Sequence, residues 1–102
     1  MATIKAATGQ IGGDTLRTDA IDIDGSQLGE GYGLPTPAML EAVRLLARCE
    51  GLLVDPVYSG KALAGLLSDL RQGLYQAGDN LLFVMTGGTP GLYAYRDAFI
   101  GH

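Results

Sequence analysis

Two short unbroken apolar runs, Leu52-Leu53-Val54 and Leu81 to Met85, constrain this chain more than any other feature. Each is preceded by a glycine-stopped stretch of helical periodicity and runs into a turn rich in Pro or Gly. Neither alternates apolar with polar residues, so neither reads as the half-solvated strand of an antiparallel sheet. Continuous runs of this length predict strands buried on both faces, over Leu52 to Asp55 and Asn80 to Met85. The flanking segments supply helices. Thr36-Pro37 is a helix start, with Thr36 as N-cap and Pro37 at the first helical position. Leu40, Val43, Leu46 and Ala47 then recur at helical spacing. Glu41, Arg44 and Arg48 fall on the other side, Glu41 three residues ahead of Arg44. Gly51 supplies the stop. Ser59 is placed to cap a second helix over 60–72, with Leu63, Leu66, Leu67 and Leu70 on one face and Gly73 ending it. Gly78-Asp79 reads as a turn, and Thr89-Pro90 opens a last helix running to about Ile100. The first 34 residues are less patterned: a short helix over 4–12, a brief strand over 20–23 and a loop over 24–33.

The order helix, strand, helix, strand, helix predicts an α/β fold with parallel strands in a three-layer segment. Two or three short parallel strands cannot cover each other and leave bare edges. Residues 1–102 therefore read as one segment of a larger sheet.

The chain has 102 residues, the length of a single small domain. Hydrophobic residues make up 47% and charged residues 18%, which excludes intrinsic disorder. The net charge is −4 and the 7 Lys and Arg are scattered, so no nucleic-acid or anionic-membrane footprint is expected. No apolar run approaches the roughly 20 residues of a membrane span, and residues 1–8 carry no signal-peptide core. Cys49 is the single cysteine, which fits a reducing cytoplasm. Cys49 and His102 have no partner at ligand spacing, so no metal is expected.

Three stretches can carry chemistry. In Gly31-Tyr32-Gly33-Leu34-Pro35-Thr36-Pro37, a tyrosine between two glycines has the freedom to project into a cleft. A phenol titrates near 10, and donors or cations around it make an acid/base group of it. The structural reading is a tyrosine packed on its own loop. Asp55-Pro56-Val57-Tyr58-Ser59-Gly60-Lys61 joins an apolar run to a helix start, where open α/β sheets bind ligands. Asp55 is there an acid/base or a helix-end acceptor, and Lys61 a Schiff-base lysine or a surface lysine. Met85-Thr86-Gly87-Gly88-Thr89-Pro90-Gly91 ends a run in a glycine turn whose N–H groups can cradle an anion. It is neither a P-loop nor a dinucleotide fingerprint, and it also reads as a plain tight turn.

In order and spacing these stretches, with Glu41 to Arg48 and Glu50-Gly51 between them, resemble one family. It is the D-cysteine desulfhydrase / 1-aminocyclopropane-1-carboxylate deaminase family, pyridoxal-phosphate enzymes of fold type II with a tryptophan-synthase-β-like fold. The resemblance is close over 29–99, loose over the first 28 residues, and confined to the C-terminal third of a family member. It implies that Tyr32 faces the substrate in an acid/base or nucleophilic role. It implies that Thr86 meets the pyridine nitrogen and that Gly87 and Gly88 let backbone approach the ring. It makes Asp55 to Lys61 mainly scaffold, and Lys61 not the Schiff-base lysine. Thr86 stands where the family's deaminases tend to carry Leu, which favours the desulfhydrase side. The implied reaction is β-elimination from D-cysteine, giving pyruvate, ammonia and sulfide. An aminocyclopropanecarboxylate deaminase, an L-cysteate sulfo-lyase and a non-catalytic truncated binding module are the alternatives.

In that family the Schiff-base lysine, the residues holding the substrate carboxylate and the phosphate loop all precede the matched region. The chain is accordingly expected to be a fragment or truncated product, inactive alone. Its partners would be a small amino-acid substrate, the N-terminal part of the same enzyme and, in the full-length form, a second copy in a homodimer.

Overall fold

The computed structural model describes residues 21–101. The helix expected over 4–12 lies outside them. The described part is helical: α1 (Pro37–Glu50), α2 (Ser59–Arg71), a 3-10 helix (Thr89–Tyr95) and α3 (Arg96–Ile100).

α1 forms where the sequence places it. The Thr36 hydroxyl accepts the Met39 N–H at 3.2 Å, and Gly51 closes the helix at φ 67° with its N–H on the Ala47 carbonyl. α2 starts differently from expectation. Ser59 is the first helical residue and not the cap. The Asp55 carboxylate does the capping from four residues upstream, accepting the N–H groups of Val57 (3.0 Å), Tyr58 (2.7 Å) and Ser59 (2.9 Å). Three N–H donors at and just before the helix start thus share one acceptor group. The last expected helix forms in two parts, tight over 89–95 and α-helical over 96–100.

Met39, Ala42 and Val43 of α1 pack on Leu63 and Ala64 of α2, with Val54 buried beside them. Gly60 lets the start of α2 come close. A Cβ there would lie 2.8 Å from the Asp55 carbonyl and 3.0 Å from side-chain carbons of Met39 and Val43. Of the four leucines expected on the inner face of α2, only Leu63 is fully buried; Leu66 and Leu67 are half-buried and Leu70 is exposed. Glu41 does not serve Arg44. It meets Arg71 of α2 at 2.7 Å, an exposed pair. Arg44 instead donates to the Phe99 carbonyl and lies 5.7 Å over the Phe99 ring, tying α3 to α1.

The expected α/β architecture is overturned. Among the described residues there is no strand and no sheet, at 21–23, at 52–55 or at 80–85. The physical reason is that a strand exists only through a ladder with a neighbour. Here the apolar runs meet no such neighbour. Val54 is taken into the helix–helix core at 2% exposure, while Leu52, Leu53, Leu81, Leu82, Val84 and Met85 stand in solvent. The core of the described residues is a helix pair.

Candidate active site

The loop before α1 carries Tyr32. It is built from short turns: the Asp24 carboxylate accepts the Ser26 N–H (2.8 Å) and hydroxyl (2.9 Å), and Leu34 N–H bonds the Gly31 carbonyl at 3.3 Å. The Ser26 N–H, then its hydroxyl, hold the Asp24 carboxyl below its ordinary range. Gly29 and Gly33 both take φ 71°, a backbone that side-chain-bearing residues rarely adopt. The loop leaves Tyr32 80% exposed. Its hydroxyl lies 2.6 Å from that of Tyr58, with the two rings edge-on, centroids 5.9 Å apart and planes at 62°. The structural reading of a tyrosine bonded back to its own loop does not hold. Tyr32 meets a second phenol 26 residues away. The bond to Tyr32, then the nearby Tyr32 and Asp55 charges, push the Tyr58 hydroxyl above its usual 10.

Asp55 is buried at the centre of this region. Burial is the strongest single influence on its carboxyl and pushes it up. The N–H donors of Tyr58, Ser59 and Val57 and the Ser59 hydroxyl together outweigh burial and hold it below the ordinary carboxylate range. Asp55 is therefore a helix-end acceptor, one of its two expected roles. It also backs the glycine turn, since a Cβ on Gly88 would lie 3.2 Å from the Asp55 Cβ.

The turn itself is fixed at both ends. Thr86 Oγ1 lies 3.3 Å from Ser59 Oγ, and the Thr89 hydroxyl donates to the Leu53 carbonyl at 3.3 Å. Gly87 and Gly88 hold φ 93° and 82°. Gly91 N–H bonds the Gly88 carbonyl at 2.8 Å and starts the 3-10 helix. The expected site residues thus converge on two adjacent positions: Tyr32 on Tyr58, and Thr86 on Ser59. Both belong to a stretch expected to be mainly scaffold. The signal that could have found them is their place where an apolar run gives way to a helix start.

The chemistry of these donors fits one edge of a flat heteroaromatic cofactor. The Thr86 hydroxyl can donate to or accept from a ring nitrogen. Gly87 has nothing within 4 Å of where a Cβ would stand, so the space beside its backbone is open. Lys61 does not fit a Schiff-base role. Its ammonium is held by the carbonyls of Leu28 (2.7 Å) and Gly31 (3.2 Å). Among the described residues no group of three or more His, Cys, Asp and Glu could hold a metal ion, and no helix is long and apolar enough to cross a membrane.

The chain is similar to 1-aminocyclopropane-1-carboxylate deaminases. Those of Burkholderia cenocepacia (strain HI2424) and of Burkholderia orbicola (strains MC0-3 and AU 1054) are each 41% identical to it over 90 residues. The match covers 88% of this chain and 26% of each relative, so the chain spans about a quarter of the length of the curated relatives it matches. Residues 2–87 match the family model described as pyridoxal-phosphate dependent enzyme, and a match over that share of the chain makes it a member of the pyridoxal-phosphate dependent enzyme family.

Proposed function

We propose that this chain supplies the substrate-facing tyrosine and the ring-contacting turn of a lyase that acts on D-cysteine or a related β-substituted small amino acid. One molecule of D-cysteine and one of water would give pyruvate, ammonia and sulfide. The observation that carries this reading is the convergence of the Tyr32 and Thr86 hydroxyls on Tyr58 and Ser59. Pyridoxal phosphate, when bound, supplies an electron sink for charge left on the substrate. Thr86 would hold the pyridine nitrogen, with Gly87 and Gly88 giving the ring room. A neutral hydroxyl does not keep that nitrogen protonated as a carboxylate would. The sink is then weak, which suits expulsion of a good leaving group such as a thiol.

Tyr32 is the proton-handling group in this reading. Its hydroxyl is open to a substrate on one side and bonded to Tyr58 on the other, so a proton can pass between the two phenolic oxygens over 2.6 Å. The rest of the same enzyme, a second copy of it and the small amino acid are the partners this reading requires.

A second reading, deamination of 1-aminocyclopropane-1-carboxylate, is favoured by the names of the similar proteins. The two are separated by assaying the polypeptide as the cell makes it, with added pyridoxal phosphate. Sulfide released from D-cysteine at a higher kcat/KM than ammonia from the cyclopropane supports the first; the reverse order supports the second. Tyr32→Phe should lower kcat/KM on the better substrate by roughly 10²- to 10⁴-fold, the span of general acid/base catalysis. An unchanged kcat/KM removes Tyr32 from the chemistry.

A further inference from the structure

The loop that carries Tyr32 is gripped at three backbone carbonyls by two side chains from distant parts of the chain. Lys61, in the first turn of α2, donates to Leu28 at 2.7 Å and to Gly31 at 3.2 Å. Tyr95, the last residue of the 3-10 helix, donates its hydroxyl to the Gly33 carbonyl at 2.6 Å. The carbonyls of both residues flanking Tyr32 are therefore held, one from each side. We propose that Lys61 and Tyr95 are positioning residues that fix the direction in which Tyr32 presents its hydroxyl. This rests on the reading of Tyr32 as the proton-handling group.

At 80% exposed, Tyr32 has too little packing to be oriented by a core, and its one aromatic neighbour, Tyr58, is itself 61% exposed. Both flanking residues are glycines, the least restricted residues in the chain. Left alone, such a segment would swing the phenol through many directions. The grips remove that freedom. An ammonium on two carbonyls forms charge-assisted bonds, stronger than neutral ones. Gly33 is shaped for the second grip: it holds φ 71°, and a Cβ on it would lie 3.2 Å from the Tyr95 hydroxyl. Tyr95 is itself anchored. It passes directly into α3, whose Phe99 is held to α1 by Arg44 through its carbonyl and its ring. The grip therefore refers the loop to both helices of the core.

The experiment uses the polypeptide as the cell makes it, loaded with pyridoxal phosphate and selectively labelled at tyrosine. Cross-relaxation between the Tyr32 and Tyr58 ring protons reports the edge-on pair directly and needs no turnover. Tyr95→Phe and Lys61→Ala should each reduce that cross-relaxation several-fold, and Tyr93→Phe, at an exposed position two residues away, should leave it unchanged. Each of the first two should lower kcat by roughly 10- to 100-fold, the range for misplacing a reacting group, with KM little altered. In a Tyr32→Phe background neither should lower kcat further. Intact cross-relaxation in both variants overturns the proposal, as do kcat losses that multiply with that of Tyr32→Phe. If Tyr32→Phe is silent in kcat while Tyr95→Phe still breaks the ring pair, the grip stands and the proton-handling role of Tyr32 falls.

Discussion

Asp55 shows how one residue can serve both fold and site. Its carboxylate accepts three N–H groups at the start of α2, and that turn carries Tyr58 and Ser59. Removing the acceptor in Asp55→Ala should destabilise the protein by about 2 kcal/mol, combining a lost cap with buried bonds to a charged group. The carboxyl is held below its ordinary value, so the folded state prefers the ionised form. That contribution is complete above the unfolded value, near 4, and is lost as pH falls through the lowered folded value. Urea unfolding midpoints measured from neutral pH down through this range should show the acid loss in the native protein and a smaller one in Asp55→Asn. Equal acid losses in the two would mean that the carboxylate is not what the acid removes.

At the scale of elements, the helix pair depends on a close approach and a cap. A Cβ on Gly60 meets the Asp55 carbonyl at 2.8 Å, and backbone cannot yield as a flexible side chain can. Gly60→Ala should cost about 1–3 kcal/mol, the usual range for overpacking. Thr36→Val keeps the shape of the α1 cap but loses its bond to Met39 and should cost about 1 kcal/mol. Thermal denaturation of the two single variants and the double variant checks both figures. Both sites touch Met39, one at its N–H and one at its side chain, so the double variant should depart from the sum of the singles by about 0.5 kcal/mol or more. The exposed Glu41–Arg71 pair, by contrast, should be worth under about 1 kcal/mol, and Glu41→Gln should scarcely move the midpoint.

At the scale of the molecule, burial and exposure are out of balance among the described residues. Six hydrophobic residues are buried among the described ones, and sixteen large hydrophobics stand exposed, including Leu82 at 91%. Apolar surface on this scale seeks cover. The 102-residue chain alone should therefore associate as its concentration rises, and Leu82→Lys with Val84→Lys should weaken that association. Sedimentation velocity over a hundredfold range of concentration reads this directly. A monomer throughout would mean that these side chains are tolerated in water.

Much of this was legible in the sequence, and for local reasons. Thr36-Pro37 and Gly51 bound α1, and Gly73 closes α2, because caps and left-handed glycines act over one turn of chain. The family could be read because motif order survives in a quarter-length match. Other features required the fold. Whether Leu52 to Val54 and Leu81 to Met85 form strands is decided by whether a neighbour pairs with them, and pairing is not a property of the run itself. That Glu41 would choose Arg71 over Arg44, and Tyr32 would choose Tyr58 over its own loop, depends on contacts between residues 30 and 26 positions apart. The sequence determined where α1 begins and ends and where α2 stops, since those forces are short-ranged. Only the tertiary structure decided which side chains meet, since packing brings distant positions together.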